Sequence, residues 1–480
     1  MATIEAQPDE DGILALQALR WIVNAERPLH VTELQIALAI GEGEPKSELD
    51  EDDFIEVHDI IEQCASLVIV DEQTETVRLV HYTVQEYLAG VSSIRDGAHT
   101  MIAKACLNYL SLDDFRTGPC NSQQSLNSVL ERHSFLDYAC RHWGNHCRTS
   151  FETEGEDGDV ITKALAVLKD SARLHLIFQV YFAPENTNDY GFNWSPSKLT
   201  PLHASGVFGL CGTIRAVLAE GQFGVDFRDS FGYTPLSRAA SGGHEATVRL
   251  LLEEGANIEA KDQSGGTAIF HAASRGDEAI VRILLEKGAN IEAKGLYRGT
   301  AICISARGGH EATVQLLLDK GADIEAKDRS GGTAISHAAS CGNKAIVRLL
   351  IQKGANIEAK DHHGRTAIFW AAADGHEETV RLLLEKGAEI EAKDNNGGTA
   401  ICCAASRGHE ATVRILLEKG ANIQAKDHYG RTAISFAAAG FHLSTARLLR
   451  EKATGSGVNT AIQRAAAAGR DSSPLGYRAL

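Results

Sequence analysis

Four side chains that could bind a metal lie close together, at Cys140, His142, His146 and Cys147. Thiolates and imidazoles are the ligands of structural zinc, but such sites usually pair their cysteines as Cys-x-x-Cys. His142 and His146 would share one face of a helix, whereas the two cysteines are not paired in this way. We therefore interpret the four residues as part of an amphipathic helix, and we expect no metal and no cofactor.

A glycine-rich stretch from Gly41 to Ser47 reads Gly-Glu-Gly-Glu-Pro-Lys-Ser and could be compared with a phosphate-binding loop. Such a loop holds phosphate with backbone N–H groups and has a glycine directly before its lysine. Here that glycine is absent, two glutamates would repel phosphate, and Pro45 has no N–H to donate. We do not expect the stretch to bind a nucleotide.

Histidines recur at multiples of 33 residues, at His244, His310, His376, His409 and His442. Asp277 and Asn343 fill the same position in two other copies. A position after a glycine that accepts His, Asp or Asn is typical of a helix cap or a turn. No nucleophile or pair of carboxylates recurs with it, so we predict that the protein is not an enzyme.

These histidines belong to a unit that is repeated between Thr234 and about Arg450. Successive copies open with a threonine at a constant spacing of 33 residues, at Thr234, Thr267, Thr300, Thr333, Thr366, Thr399 and Thr432. The pattern predicts two short helices, each followed by a glycine, and then an extended finger. One copy cannot bury its apolar face alone, so the copies are expected to stack.

The repeat closely resembles the ankyrin family in its period and in its opening motif. An upstream copy from Thr200 to Ala204 reads Thr-Pro-Leu-His-Ala, and later copies open with Thr-Ala-Ile. A partial copy from Thr460 to Ala466 comes early and is expected to form an irregular cap. The resemblance implies a mostly α fold, an ankyrin-repeat solenoid with β-hairpin fingers, over residues 196–470.

Positions that vary between otherwise similar copies are the candidates for partner binding. They fall in the first helix, in the loop that follows it and at the finger tip. In ankyrin proteins these positions line a concave face that binds a partner, and exposed aromatic residues with arginine are typical of binding hot spots. The predicted partner-binding residues are Arg238, His271, Arg275, Tyr297, Ile304, Arg307, Arg329, His337, His362, His363, Phe369, Trp370, Asp374, Arg407, Tyr429 and Phe436. Neutral variation of exposed positions is the alternative interpretation.

The net charge of the 480-residue chain is −17, and it is spread unevenly. Residues 1–100 contain 21 acidic and 5 basic residues, a net charge of −16, so the remainder is nearly neutral. The sequence has no apolar run of the roughly 20 residues that a membrane span needs, and its amino terminus does not match a signal peptide. The 10 cysteines show no framework spacing. We expect reduced thiols and a cytoplasmic protein, with a nuclear location as the alternative.

Residues 1–95 predict a winged-helix domain of three helices, a hairpin and a further helix. Apolar periodicity indicates a helix from Ile13 to Val23, and Thr32 is the expected N-cap of a helix from Glu33 to Ile40. Two β-rich runs between Leu67 and Val80 flank an acidic turn. Binding to nucleic acid would require a basic surface, which this acidic domain lacks.

The segments from Trp21 to Leu29 and from Val77 to Tyr87 resemble the winged helix behind the NACHT nucleotide-binding domain of fungal NLR-like proteins with ankyrin repeats. In that family this domain packs on the NTPase and helps to hold the resting state. The matching part begins where the NTPase would end, so we expect the NTPase to be absent. Residues 96–195 are similar to the connector of that family and predict a helical adaptor, with an acidic loop from Glu152 to Asp159.

The favoured hypothesis is a non-enzymatic scaffold or sensor that binds a protein partner through the concave ankyrin face. The first alternative is a regulatory fragment of an NTP-dependent NLR-like switch, which would act with a NACHT-type NTPase in trans. The second alternative is a winged-helix nucleic-acid binder, which the charge disfavours. We expect no nucleic-acid partner and no association with a membrane.

Overall fold

The structure, a computed structural model, describes residues 9–183 apart from 42, 45 and 50–53, and residues 198–453. The side chains of residues 9–11 and of Tyr297 also lie outside this description, as does the partial copy predicted from Thr460 to Ala466. The chain divides into two compact units, Met1–Asn257 (unit 1) and Ile258–Leu480 (unit 2).

Unit 1 begins with a winged helix in which short helices surround a small antiparallel sheet. Its helices are Asp9–Asn24, Val31–Ile40, Val57–Gln63, Tyr82–Ala89 and Ser92–Arg95. Its strands are β1 Leu29–His30, β2 Val68–Asp71 and β3 Thr76–Leu79, in the spatial order β1-β3-β2. The predicted hairpin is confirmed, with Val68 opposite Leu79 and Asp71 opposite Thr76.

The helix Val31–Ile40 is capped by His30, so the prediction of Thr32 as the N-cap is wrong. The His30 ring accepts the backbone N–H of Thr32, and a carboxylate oxygen of Glu33 accepts the N–H of His30 at 2.8 Å. The helix begins at Val31, before the Glu33 that the apolar pattern suggests, because Leu29 and His30 pair with β3 and lie directly before it.

Helices continue through the rest of unit 1. They are Ala98–Leu110, Gln123–Arg132, Leu136–Glu154, Gly158–Lys169, Ser171–Phe182, Pro201–Phe208, Cys211–Ala219, Pro235–Gly242 and Glu245–Glu253. Trp21 of the winged helix meets Phe135 and Tyr138 edge to face, with ring centres 5.8 and 6.0 Å apart. One hydrophobic core therefore continues across residue 95.

The helix Leu136–Glu154 lies directly against the first repeat helix of unit 1. A Cβ atom at Gly144 would lie 2.5 Å from the Phe208 ring, so this close approach requires glycine. Arg148 Nη1 donates to the carbonyl of Phe208 at 3.1 Å. These contacts place a helix of the region 96–195 at the start of the repeats.

Unit 2 is built from repeated pairs of helices. The first helices are Ala268–Arg275, Ala301–Gly308, Ala334–Ser340, Ala367–Ala373, Ala400–Ser406 and Ala433–Ala439. The second helices are Glu278–Glu286, Glu311–Asp319, Lys344–Gln352, Glu377–Glu385, Glu410–Glu418 and Leu443–Lys452. First helices contact the first helices of adjacent repeats, and second helices do likewise. This is the stacked arrangement that the 33-residue period predicts.

The residues of each repeat explain its two helices. Ala272 and Ala273 are fully buried and are small enough for neighbouring first helices to pack closely. Gly276 ends the first helix in the left-handed conformation, with φ +82°, where a side chain would be strained. The side chains of Val281 and Leu284 on the second helix are fully buried, and each contributes about 1.5–3 kcal/mol of hydrophobic stabilisation.

The fingers are tight hairpin turns in which the described residues form no β-ladder. The N–H of Asp262 donates to the carbonyl of Gly266 at 2.9 Å, and the N–H of Gly265 donates back to Asp262 at 3.0 Å. Each finger also receives a bond from the next repeat, because a Glu259 carboxylate oxygen accepts the N–H of Asn290 at 2.7 Å. Bonds of this last kind recur along unit 2.

Candidate functional site

Each regular finger of unit 2 is organised by an aspartate whose carboxylate closes the turn. In one finger, Asp262 Oδ1 accepts the N–H groups of Ser264 at 2.7 Å and of Gly266 at 2.8 Å. The same pair of bonds recurs in the fingers of Asp328, Asp361, Asp394 and Asp427. The turn therefore uses one carboxylate oxygen and leaves Oδ2 for a different partner.

In two repeats that partner is a histidine of the adjoining first helix. The Nε2 atoms of His271 and His337 lie 2.8 and 3.0 Å from Oδ2 of Asp262 and Asp328, respectively. Burial would raise the pKa of Asp328, but hydrogen bonds, chiefly from His337, outweigh it and lower the pKa to about 2. Both histidines were predicted to bind a partner, and the structure gives each an intramolecular partner.

The equivalent side chain in unit 1 is Arg238, and it is buried. Its Nε donates to Asp229 Oδ2 at 3.0 Å, and its guanidinium carbon lies 4.0 Å from the centre of the Tyr233 ring. A cation that is held by a buried carboxylate and an aromatic face has little freedom to reach another molecule. Arg238 therefore stabilises its own repeat.

A third arrangement moves the cation from the helix to the finger. Arg365, directly before its repeat threonine, donates through Nε to Asp361 Oδ2 at 2.8 Å. Its guanidinium carbon lies 4.0 Å from the centre of the half-buried Trp370 ring. Because Arg365 supplies the cation, the helix position is free to carry an aromatic residue.

The last complete repeat uses the same arrangement and adds a second aromatic ring. Arg431 Nε donates to Asp427 Oδ2 at 2.8 Å. The guanidinium carbon of Arg431 is 4.5 Å from the Phe436 ring centre and 5.0 Å from that of Tyr429. Tyr429 is 74% exposed. This repeat thus presents an arginine between two aromatic rings.

An ion pair joins two adjacent repeats on the same side of unit 2. Arg407 Nη1 pairs with Asp374 Oδ1, whose other oxygen accepts the Ser340 hydroxyl at 2.8 Å. These two residues were chosen from sequence variation, and the structure brings them together. Arg275 and Arg307, at or next to the equivalent loop position in other repeats, are exposed.

The remaining predicted residues differ in exposure. Phe369 is only 4% exposed and packs with Ala373 and Cys403, so its side chain belongs to the core. Ile304 is half-buried. The exposed residues are Arg275, Arg307, Arg329, His362, His363 and Tyr429. The side chain of Tyr297 lies outside the described residues.

Finger tips are joined to one another through their backbones, which the sequence did not indicate. The N–H of His362 donates to Ser330 O at 2.8 Å, and the N–H of Asn395 donates to His363 O at 2.8 Å. A third bond of the same length links the next finger. These bonds hold neighbouring tips in register, so the side chains on them form one ordered surface.

The recurring histidines link successive repeats. His376 Nε2 lies 2.8 Å from the carbonyl oxygen of Ser340 in the preceding repeat, and its ring lies against Gly342. His244, His310 and His442 make the same contact, and the His409 ring lies against Gly375 in the same way. The histidines occupy N-cap positions, as predicted, but their side chains do not cap the helices. Asp277, at the equivalent position, does cap its own helix with its side chain. Asn343 replaces the ring with an amide that donates to the preceding repeat.

In the cysteine and histidine cluster of unit 1, Cys140, His146 and Cys147 are buried, and His146 is hydrogen-bonded. His146 Nδ1 lies 2.9 Å from His99 Nδ1, and His146 Nε2 lies 2.9 Å from the Tyr138 hydroxyl. Burial lowers the pKa of His146 well below its usual value and raises the pKa values of Cys140 and Cys147. Across the residues that the structure describes, His, Cys, Asp and Glu side chains form no group of three or more that could hold a metal.

The finger turns and the adjoining side of the first helices form one surface of unit 2, which we name the finger face. It carries the two arginine–aromatic clusters and the ion pair between adjacent repeats. Its principal side chains are Arg365, Trp370, Asp374, Arg407, Tyr429, Arg431 and Phe436. Within the described part of the chain, no helix is both long and apolar enough to cross a bilayer.

Comparison with known proteins identifies two regions. Residues 9–115 match the family described as the GPI inositol-deacylase winged helix domain. The family described as ankyrin repeats (3 copies) matches residues 172–262, 202–295, 258–328, 302–394 and 386–462, which together span more than half of the chain. The crystal structure of the human ASB11 ankyrin repeat domain is similar, with 25% identity and a TM-score of 0.43, over 47% of this chain and 99% of that one. The chain belongs to the ankyrin-repeat family.

Proposed function

We propose that the protein is a non-enzymatic scaffold or sensor whose finger face binds a protein partner. The observation that carries this proposal is the pair of arginine–aromatic clusters, Arg365 with Trp370 and Arg431 with Tyr429 and Phe436. Tryptophan, tyrosine and arginine are the residue types enriched at binding hot spots. Their rings are here held at the surface by intramolecular contacts, so binding would order few new side chains.

The order of the finger tips supports the same surface. Backbone bonds between Ser330 and His362, and between His363 and Asn395, join three consecutive fingers. A partner that lies across these fingers would meet a preformed backbone. Exposed His362 and His363 would then contribute to recognition.

The chemistry of the thiols disfavours catalysis by cysteine. Burial raises the pKa of Cys403 to about 12, and it does the same for Cys64. A nucleophilic cysteine instead needs a lowered pKa and access to substrate. The thiols, which form no disulfide in the described residues, also support our proposal of a cytoplasmic location.

A capture experiment tests the proposal. The immobilised full chain would be used to capture proteins, each captured candidate would be purified, and its affinity would be measured again with variants. We expect Trp370→Ala and Phe436→Ala each to lower the affinity of a true partner by at least about tenfold, because each removes a ring of the kind found at binding hot spots. The matched control is Arg381→Ala, on a second helix, which should leave the affinity unchanged. A partner that binds all four proteins equally would contradict the proposed surface.

A second candidate function is regulation of a NACHT-type NTPase in trans, as in the fungal NLR-like proteins that the amino-terminal segments resemble. Exposed apolar residues on the winged helix favour it, because Tyr82 is 67% and Tyr87 65% exposed. The ATP hydrolysis rate of a purified NACHT-type NTPase would be measured with the full chain and with Tyr82→Ser. A rate that neither protein changes would exclude this function. The acidic charge of the winged helix disfavours nucleic acid as its partner.

A further inference from the structure

One finger aspartate lacks the arginine or histidine partner that its equivalents have. Aspartates at the equivalent position of other repeats pair with an arginine or a histidine of the same repeat: Asp229 with Arg238, Asp262 with His271, Asp328 with His337, Asp361 with Arg365 and Asp427 with Arg431. Asp394 occupies this position in the repeat of Thr399. Among the described residues no ion pair to Asp394 is found.

The sequence of this repeat explains the difference. The two positions that supply the arginine or histidine elsewhere are occupied by Gly398, directly before the repeat threonine, and by Cys403 in the first helix. Neither residue can carry a positive charge. Asp394 nevertheless keeps its place in the turn, because Oδ1 accepts the N–H groups of Asn396 at 2.9 Å and Gly398 at 2.7 Å.

In the irregular repeat, the finger carboxylate and its basic partner are both absent. Gly295 stands where the other fingers have aspartate, and Ile304 stands at the helix position. In this repeat, neither Ile304 nor Gly299, which directly precedes the repeat threonine, can supply a basic side chain. The repeat of Asp394 differs, because its carboxylate is present while neither of the two positions carries an arginine or a histidine.

The physical state of Asp394 favours an external cation. The residue is only 7% exposed, and a poorly hydrated carboxylate gains strongly from a charge-assisted hydrogen bond. Position 398 directly adjoins this carboxylate, because a Cβ there would lie 3.3 Å from Oδ1, and glycine places no side chain over it. Arg407, in the same repeat, already pairs with Asp374.

We propose that Asp394 is a specificity site of the finger face that receives an arginine side chain of the protein partner. This inference rests on the proposed function, since it names one group that the partner would bring. Arginine is preferred over lysine because three repeats of the chain itself place a guanidinium at this carboxylate, those of Arg238, Arg365 and Arg431. A planar guanidinium can also lie over a neighbouring surface while it donates.

A titration with a small probe tests this site without the partner. The full chain would carry isotopic nitrogen at glycine, and the Gly398 amide signal, identified by its loss in Gly398→Ala, would be followed by NMR. This amide is the reporter because it donates to Asp394 Oδ1. We expect N-acetylarginine amide to shift the signal saturably, and the uncharged isostere N-acetylcitrulline amide to leave it in place.

Two variants remove the site in different ways. Asp394→Asn keeps an oxygen for the turn but loses the charge, and Cys403→His supplies an imidazole partner for Oδ2, as His271 and His337 do for Asp262 and Asp328. Both should abolish the arginine-dependent shift, whereas Cys341→His, at an exposed cysteine of another repeat, should preserve it. The inference would be overturned if N-acetylcitrulline amide produced the same shift, or if the shift persisted in Asp394→Asn or Cys403→His. The absence of any shift in the unaltered chain would also overturn it.

The probe experiment and the partner experiment distinguish failure of the Asp394 site from failure of the proposed function. If the probe does not bind at Asp394 while Trp370→Ala still weakens a partner, the finger face binds proteins without using this carboxylate. If the probe binds while no partner depends on Trp370 or Phe436, the proposed function fails and the cation site remains.

Discussion

The guanidinium carbon of Arg365 lies 4.0 Å from the centre of the Trp370 ring, while its Nε donates to Asp361. One arginine thus satisfies a buried carboxylate and supports an aromatic side chain at the surface. The two functions are coupled, because removal of the guanidinium takes the ion pair from Asp361 and the cation–π contact from Trp370.

Arg365→Ala is expected to lower the free energy of unfolding by about 2–3 kcal/mol, because the Asp361 carboxylate would be left buried without a cation. Urea unfolding of the full chain, followed by circular dichroism, measures this loss. The control is Arg381→Ala, which removes an exposed pair with Glu418 at 4.0 Å and should cost less than about 1 kcal/mol. Equal losses in the two variants would show that the Asp361 pair contributes no more than a surface ion pair.

Two glycines with similar backbone conformations should respond differently to alanine. Gly288 has φ +91° and open space around a Cβ, so Gly288→Ala should cost about 1–2 kcal/mol of backbone strain. Gly276 has φ +82°, and a Cβ there would overlap the His310 ring, so Gly276→Ala should cost more. The double variant Gly276→Ala with His310→Ala should recover part of the excess in a double-mutant cycle. A cycle with no coupling would contradict the proposed overlap.

The histidine contact between repeats should be replaceable by asparagine but not by leucine. His376 reaches the Ser340 carbonyl through Nε2, and Asn343 makes an equivalent bond with its amide one repeat earlier. We expect His376→Leu to cost about 1 kcal/mol, the net value of a hydrogen bond, and His376→Asn to cost less. Both are measured by urea unfolding. If asparagine destabilises as much as leucine, ring packing and not the hydrogen bond links the repeats.

Acidification should destabilise unit 1 through its buried histidines. Burial lowers the pKa of His203 from 6.5 to about 4, and it also lowers that of His146. Below pH 6.5 the unfolded chain therefore binds more protons than the folded chain, so the free energy of unfolding falls as the pH drops towards 4. Each such histidine contributes up to about 1.4 kcal/mol per pH unit in this window.

Unfolding curves between these pH values measure the effect. His203→Gln should reduce the slope of stability against pH, whatever its effect at neutral pH. His58→Gln, at an exposed histidine, should leave the slope unchanged. An unaltered slope in His203→Gln would show that this ring does not titrate with unfolding.

Local features of the fold could be predicted because their causes lie within a few residues. The repeat threonines begin the first helices, and glycines such as Gly276 end them, since both effects act on the adjacent backbone. Strand β1 was missed, because two residues carry no periodicity and Leu29 pairs with the distant Val77. The acidic stretch after Glu152 was expected to be a loop, yet the helix continues to Glu154, whose carboxylate accepts the N–H of Gly97 at 2.6 Å.

For the candidate site, sequence variation was enough to select the positions but not to say which side chains are free. Trp370 and Phe436 lie on the finger face, whereas Phe369 is covered by the next repeat. Arg238 is engaged by an aspartate that only folding of the finger brings to it. The repeat period follows from the order of residues, because it acts through local propensity and apolar spacing. The partner of each charged or aromatic side chain depends on residues brought together by stacking, so the tertiary structure alone reveals it.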